Sequence, residues 1–165
     1  MDVDLNVVKE LRQKTGAGVM AVKKALDESG GNLDKAEEIL KEQGLANALK
    51  KSGRDTSQGA IQSYIHAGNK IGALVELKCE TDFVARTDDF IDLAKDLAMQ
   101  VAAMGPLFIS KNEEGAGKAS DEEILMSQAF IKDPSITIED MIKSMISKVG
   151  ENVNISRITK KINSL

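Results

Sequence analysis

The chain has 165 residues, with 22 Lys and Arg against 26 Asp and Glu and a formal charge of -4 when its one histidine is neutral, which excludes a strongly basic nucleic-acid binder on bulk electrostatics. Hydrophobic residues at 42% and charged residues at 29% belong to the soluble globular class, with chain enough for a sizeable core in one or two small domains. No apolar run approaches the roughly 18 to 20 residues of a membrane helix, and the acidic start Met1-Asp2-Val3-Asp4 lacks the marks of a signal or transit peptide, so a cytoplasmic protein without a membrane partner is expected.

From Asp4 to about Gly44 the pattern is three short amphipathic helices. Leu5, Val8 and Leu11 recur on one face of the first, which stops at Thr15-Gly16. Val19, Val22, Ala25 and Leu26 make the stripe of the second, and Gly30-Gly31 ends it. Asn32 caps the third, whose stripe is Leu33, Ala36, Ile39 and Leu40, with Gly44 expected at its C′ position. Each is too short to persist alone, so the three are expected to bury their stripes together as a bundle. Leu45 to Ser57 reads as a helical extension fraying into a linker.

Two β-rich runs follow, Ala60–His66 and Ile71–Cys79, joined by the hairpin turn Ala67-Gly68-Asn69-Lys70. In the second run Ile71, Ala73, Val75, Leu77 and Cys79 alternate with Gly72, Leu74, Glu76 and Lys78, the pattern of a sheet with one buried face. Past Thr81–Arg86, a long helix is expected from about Thr87, as N-cap, to Met104, with Gly105-Pro106 ending it. Lys111 to Glu123 has no period and is expected to be the least ordered stretch. Thr137 caps a last helix carrying Ile138, Met141, Ile142, Met145, Ile146 and Val149, and a final strand sets Val153, Ile155, Arg157 and Thr159 against Asn154, Ser156 and Ile158. The fold class is α+β: an N-terminal three-helix bundle, a linker, then a small antiparallel sheet covered by helices.

Chemistry-bearing residues are sparse. A single cysteine, Cys79, forms no internal disulfide, and with one histidine, His66, it cannot supply a structural zinc site. The stretches Gly16-Ala17-Gly18 and Gly115-Ala116-Gly117 lack the spacing and the Lys-Ser/Thr ending of phosphate-binding loops. Aromatics are 3% of the chain, without tryptophan, so there is no series of stacking platforms for single strands of nucleic acid. No catalytic residue, cofactor site or metal site is assigned, and the expected partner is another protein. Cys79 reads as a small buried hydrophobe.

Two segments resemble the elongation factor Ts family, the bacterial and organellar guanine-nucleotide exchange factors of elongation factor Tu. One runs from Val8-Lys9-Glu10-Leu11-Arg12 through Thr15-Gly16-Ala17-Gly18-Val19-Met20 to Lys23-Lys24-Ala25-Leu26. The other, more specific, is Cys79-Glu80-Thr81-Asp82-Phe83-Val84-Ala85-Arg86, preceded by His66-Ala67-Gly68-Asn69-Lys70-Ile71-Gly72. Val149-Gly150-Glu151-Asn152-Val153 looks like the family's closing helix-to-strand segment, so the resemblance covers nearly the whole chain outside Lys111 to Ser127. Ala21, Val22 and Lys78 depart from residues common in the family. The chain also lacks room for the duplicated core and helical hairpin of many members, and looks like a short form.

The resemblance implies that residues 1–50 are a ubiquitin-associated-like domain docking on the partner's nucleotide domain, that 51–57 are a linker, and that 58–165 are a core (dimerisation) domain. It makes Thr81, Asp82, Phe83 and Val84 contacts to elongation factor Tu, with Arg12, Met20, Lys23 and Lys24 from the first domain and His66 and Gly68 from the hairpin tip. On residue pattern alone Met20 reads as core packing, Lys23-Lys24 as a solvated face and Phe83 as a core plug. By resemblance Phe83 wedges beside the partner's nucleotide pocket, disturbs the groups holding the partner's Mg²⁺, and promotes exchange of GDP for GTP. A homodimer through the core domain is also expected. The alternative is a ubiquitin-associated-like adaptor that binds proteins through its first domain without exchange activity.

Overall fold

The three N-terminal helices start where the sequence places them, the third on its expected cap Asn32. In the computed structural model, Asp4 accepts a hydrogen bond from the Asn6 N–H and opens α1 (Leu5–Thr15), α2 spans Val19–Glu28, and Asn32 accepts from the Lys35 N–H to open α3 (Leu33–Lys51). The structure describes residues 4–163; the acidic opening Met1-Asp2-Val3 and the closing Ser164-Leu165 lie outside the described residues. The chain divides into two compact units, one of residues up to Arg54 together with Lys143–Asn152, the other of Asp55–Ile142 together with residues from Val153 onward.

In the first unit Val8, Leu11, Val22, Ala25, Leu26, Ala36 and Leu40 form one buried cluster. Leu5, Val19 and Leu33, expected on the buried stripes, are exposed, each as the first residue of its helix. A second correction concerns Gly44, which does not end α3: the helix continues to Lys51. A Cβ at Gly44 would lie 3.1 Å from Oγ of Ser147, so this glycine serves close approach within the unit rather than termination. The extension ends where Asn152 donates through Nδ2 to the carbonyls of Ser52 and Arg54, at 3.3 and 2.8 Å.

The second unit contains strands β1 (Gln58–Ile65) and β2 (Ile71–Cys79), the single helical turn α4 (Asp82–Ala85), helix α5 (Asp88–Met104), the short strands β3 (Ala129–Phe130) and β4 (Asp133–Thr137), the start of α6 (Ile138–Val149), and β5 (Val153–Ile162). The main sheet has the order β1-β2-β5 and is antiparallel throughout. Helix α5 packs on it, and the expected inner face of β2 is covered from Ala73 to Cys79, with Val75, Leu77 and Cys79 inaccessible and Ile71 at its end half-buried. These side chains meet the apolar face of α5, whose Phe90, Ala94, Leu97 and Ala98 are likewise buried. The α+β class is therefore the observed one.

The last strand departs from its expected alternation. Glu76 pairs with Arg157 and Leu77 with Ile155, which leaves Ser156 as an extra residue in β5. The bulge reverses the facing of everything after it: Ile158 pairs with the buried Val75 and joins the inner face instead of lying beside Leu74. The stretch Lys111–Glu123 is also better formed than its composition suggests. It contains 3₁₀ turns at Ala116–Lys118 and Asp121–Glu123, with Ser120 and Glu123 in a reciprocal cap, and Phe108 makes a parallel bridge to Ile124. Ile124 and Leu125 beyond it are buried.

A buried amide organises that region. Gln100 on α5 donates through Nε2 to Gln128 Oε1 at 3.1 Å and to the Ala129 carbonyl at 3.0 Å, while its Oε1 accepts from the Ile131 N–H at 3.0 Å. Helix period puts Gln100 in line with the buried Leu93 and Leu97, but its polar amide gives no sign of burial, because its partners lie about thirty residues away and only tertiary structure brings them together. Thr137 caps α6 as expected, its hydroxyl accepting from the Asp140 N–H at 3.1 Å.

On the outer face of the sheet Arg157 donates through Nε to Glu76 Oε2 at 2.7 Å, joining β2 to β5. That hydrogen bond, opposed by partial burial, holds the Glu76 carboxyl below its ordinary value. A carboxyl depressed in the folded state stabilises above its unfolded pKa, and the contribution disappears as pH falls through the folded value. The melting temperature of wild type should therefore exceed that of Glu76→Gln at neutral pH, with the gap closing on acidification through the carboxylate range. Thermal melts across that range check this, and a constant gap would contradict it.

Candidate functional site

The chain leaves β2 at Cys79, whose Sγ donates to the Thr81 carbonyl at 3.1 Å. Thr81 then caps α4, its hydroxyl accepting from the Val84 N–H at 3.4 Å. One turn later Thr87 donates to the Val84 carbonyl at 2.8 Å and accepts from the Phe90 N–H to start α5. Two threonine caps thus hold a four-residue turn between a central strand and a long helix. Successive residues of a helix are about 100° apart, so the turn that buries Val84 and Ala85 must direct its preceding residues outward. Val84 is 5% exposed and Phe83 is 79% exposed.

Val84, expected among the contacts, is therefore an internal anchor of the turn, and its neighbour projects. Large aromatic side chains are ordinarily core or interface residues, and the pattern-based reading of Phe83 as a core plug is corrected by its exposure. Beside it, Arg86 donates through Nη2 to Asp82 Oδ2 at 2.5 Å, an ion pair across one helical turn. Thr81 and Asp82 are exposed as well. The result is an exposed aromatic ring beside an ion-paired carboxylate and guanidinium on a well-supported turn, and exposed aromatics are among the side chains that protein interfaces favour.

The hairpin tip is a separate place. His66 is exposed, with Nδ1 at 3.1 Å from the Tyr64 hydroxyl. Gly68 and Asn69 both have positive φ, 88° and 58°, within the four-residue connection Ala67–Lys70 that the His66 N–H closes by donating to the Ile71 carbonyl, and Gly and Asn tolerate that backbone conformation best. The nine residues of β2 lie between this tip and Thr81, a span of about 27 Å at the usual rise of an antiparallel strand. His66 and Gly68 therefore do not share a site with Phe83.

In the first unit Arg12, Met20 and Lys24 are exposed and Lys23 is half-buried. Met20 is 77% exposed at the start of α2, which corrects its reading as core packing. Lys24 lies 3.6 Å from Glu28, an exposed pair of little energetic weight.

Two features escaped the sequence reading. One is the Asp82–Arg86 pair, for which the i,i+4 spacing was the available signal. The other is an apolar patch on the outer face of the sheet, where Ile61 and Ile65 of β1 stand exposed with Leu74 of β2. Ser63 is the cross-strand partner of Leu74, so the two isoleucines are its diagonal neighbours. Their signal was the period-2 alternation of β1, read against the pairing register.

No helix among the described residues is long and apolar enough to cross a membrane. Among the same residues no group of three or more His, Cys, Asp or Glu is arranged to hold a metal ion. A shallow groove of about 470 Å³ lies at the far end of α5, lined by Val101, Gly105, Pro106, Leu107, Ile158, Lys160 and Ile162.

Comparison with known proteins bears on the same residues. The model of the family described as Elongation factor TS matches residues 47–123, a stretch that includes the hairpin, the Phe83 turn and α5. Elongation factor Ts of Herpetosiphon aurantiacus is 41% identical, with 97% of this chain and 97% of that protein covered. Elongation factor Ts of Methylacidiphilum infernorum is 44% identical over 96% of this chain and 94% of its own, and that of Fervidobacterium nodosum 41% over 97% and 98%.

Phe83→Ala should cost little stability, under about 1 kcal/mol for a side chain that buries so little, whereas Phe90→Ala, at a fully buried aromatic, should cost roughly 3 to 5 kcal/mol. Denaturant titrations of both variants check the contrast. A Phe83→Ala loss equal to that of Phe90→Ala would return Phe83 to the core.

Proposed function

The chain belongs to the elongation factor Ts family, and from that membership we propose that it binds elongation factor Tu in its GDP form and promotes release of GDP and exchange for GTP during protein synthesis. The observation that carries this reading is Phe83, a 79% exposed aromatic on a doubly capped turn inside the matched stretch. Exchange of this kind is coupled binding and involves no bond chemistry in this chain. If the factor weakens GDP binding by some ratio, GDP weakens binding of the factor by the same ratio. A ring that must be inserted beside the nucleotide pocket suits that role, because its burial is gained only in the complex that loosens GDP.

In this reading Phe83, Asp82 and Thr81 form the central contact, with Val84 holding the turn from inside. Arg12, Met20, Lys23 and Lys24 of a docking domain over residues 1–50 make a second contact, and His66 with Gly68 a third. Residues 51–57 connect the docking domain to the core at 58–165. The protein works in the cytoplasm, is not an enzyme, and has neither a nucleic acid nor a membrane as partner.

Release of labelled GDP from purified elongation factor Tu tests the proposal. Wild type should accelerate release without hydrolysing GTP, and Phe83→Ala should lose most of the acceleration while staying folded. An adaptor acting through its first domain alone would bind the partner and leave GDP release unchanged.

The core domain is further proposed to pair with a second copy. Support comes from the outer face of the three-stranded sheet, where Ile61, Ile65 and Leu74 form an apolar group that no element of the unit covers. Two such faces related by a two-fold axis would bury each other's isoleucines. Light scattering at tens of micromolar should then give a mass approaching twice 17.8 kDa, because pairing worth about 8 kcal/mol puts most of the chains in dimers at ~10⁻⁵ M, and the monomer mass of 17.8 kDa would refute pairing.

A further inference from the structure

We propose that Arg86 is a positioning residue for Asp82: by holding one carboxylate oxygen in the free protein, it presents the other in a fixed direction to a hydrogen-bond donor on the partner. The inference rests on the exchange reading for the identity of that partner, and on the geometry of α4 for the role. Asp82 is the first residue of a four-residue helix, immediately after Thr81. An aspartate there ordinarily serves as a cap or as a complement to the helix dipole. Thr81 already performs the capping, its hydroxyl accepting from the Val84 N–H. The carboxylate is instead drawn to Arg86, with Nη2 on Oδ2 at 2.5 Å.

Stability does not account for the pair. Both side chains are largely in solvent, 78% and 61% exposed for Arg86 and Asp82, and ion pairs so exposed contribute little to folding. Burial of Val84 and Ala85 keeps the turn in place without it. What the pair does restrict is the rotamer of a short, exposed side chain next to Phe83. A carboxylate has acceptor sites on both oxygens, so engagement of Oδ2 leaves Oδ1 available. A side chain already confined loses less conformational freedom on binding, and an arginine reaching along the helix surface confines it by geometry that a free aspartate lacks.

The test uses the full chain with Arg86→Ala, Arg86→Lys, Asp82→Asn and the double variant Asp82→Asn/Arg86→Ala. Titration against GDP-bound elongation factor Tu should show Arg86→Ala weakening apparent affinity about three- to fivefold, the upper range for an exposed pair. The GDP release rate at saturation and the melting temperature should stay near wild type. Arg86→Lys should recover most of the affinity, and higher salt should shrink the difference. In the Asp82→Asn background Arg86→Ala should have no further effect. Side-chain coupling constants of Asp82 in the free protein should show one dominant χ1 rotamer in wild type and averaging in Arg86→Ala, a readout independent of the partner.

An equal effect of Arg86→Ala in both backgrounds would overturn the proposal, making Arg86 a contact in its own right. Unchanged affinity in Arg86→Ala, or an averaged Asp82 rotamer in wild type, would also overturn it. Wild type that fails to accelerate GDP release would instead defeat the exchange reading, and the rotamer measurement would still decide whether Arg86 orients Asp82.

Discussion

Burial of the inner face of β2 beneath α5 is the contact from which the second unit takes its arrangement. Val75, Leu77 and Cys79 have no accessible surface, and Phe90, Ala94, Leu97 and Ala98 meet the sheet from α5. Full burial of a side chain of this size contributes about 1.5 to 3 kcal/mol, so a few such residues match the net stability of a whole domain. A one-residue slip of β2 against its neighbours would turn that face toward water. Both strand pairings, the direction of α5 and the short connection between β2 and α5 are consequently set together.

The α4 turn inherits its precision from that arrangement. It has only four residues, too few to persist as an isolated helix. One end is fixed by the last residue of β2, the other by the cap of α5, and Val84 and Ala85 enter the core. A side chain on so short a segment would ordinarily move freely, yet Phe83 is carried by a backbone tied at both ends. Placement of an exposed side chain on a short turn between two well-packed elements combines exposure with preorganisation.

Exposed apolar groups on this chain are local and chemically distinct. Phe83 stands between Asp82 and Arg86, while Ile61, Ile65 and Leu74 share a sheet face with the Glu76–Arg157 pair and Lys78. In each case an apolar centre is bordered by charges that are already partnered, so a docking surface would bury hydrocarbon without stranding an unpaired ion. The buried Gln100 solves the opposite problem. It satisfies the polar backbone of Ala129 and Ile131 where an apolar residue would leave those groups without partners.

Local chemistry was legible from the residues alone. Asn32, Thr87 and Thr137 cap their helices, Gly68-Asn69 turns the hairpin, and the alternation of β2 names its buried face, because each depends on neighbours within a few positions. The Cys79–Arg86 run also pointed to its family without any coordinates. Other features required contacts between distant parts of the chain. The extra residue at Ser156 rotated Ile158 to the inner face, Gly44 lies inside its helix with Ser147 close by, and Gln100 found partners about thirty residues away. The orientation of α4 belongs to this second group. Sequence determined that an acidic residue, an aromatic and an aliphatic would follow Thr81, and only the seating of that turn between β2 and α5 decided that Val84 enters the core and Phe83 faces solvent, because a single helical turn has no preferred inside until packing supplies one.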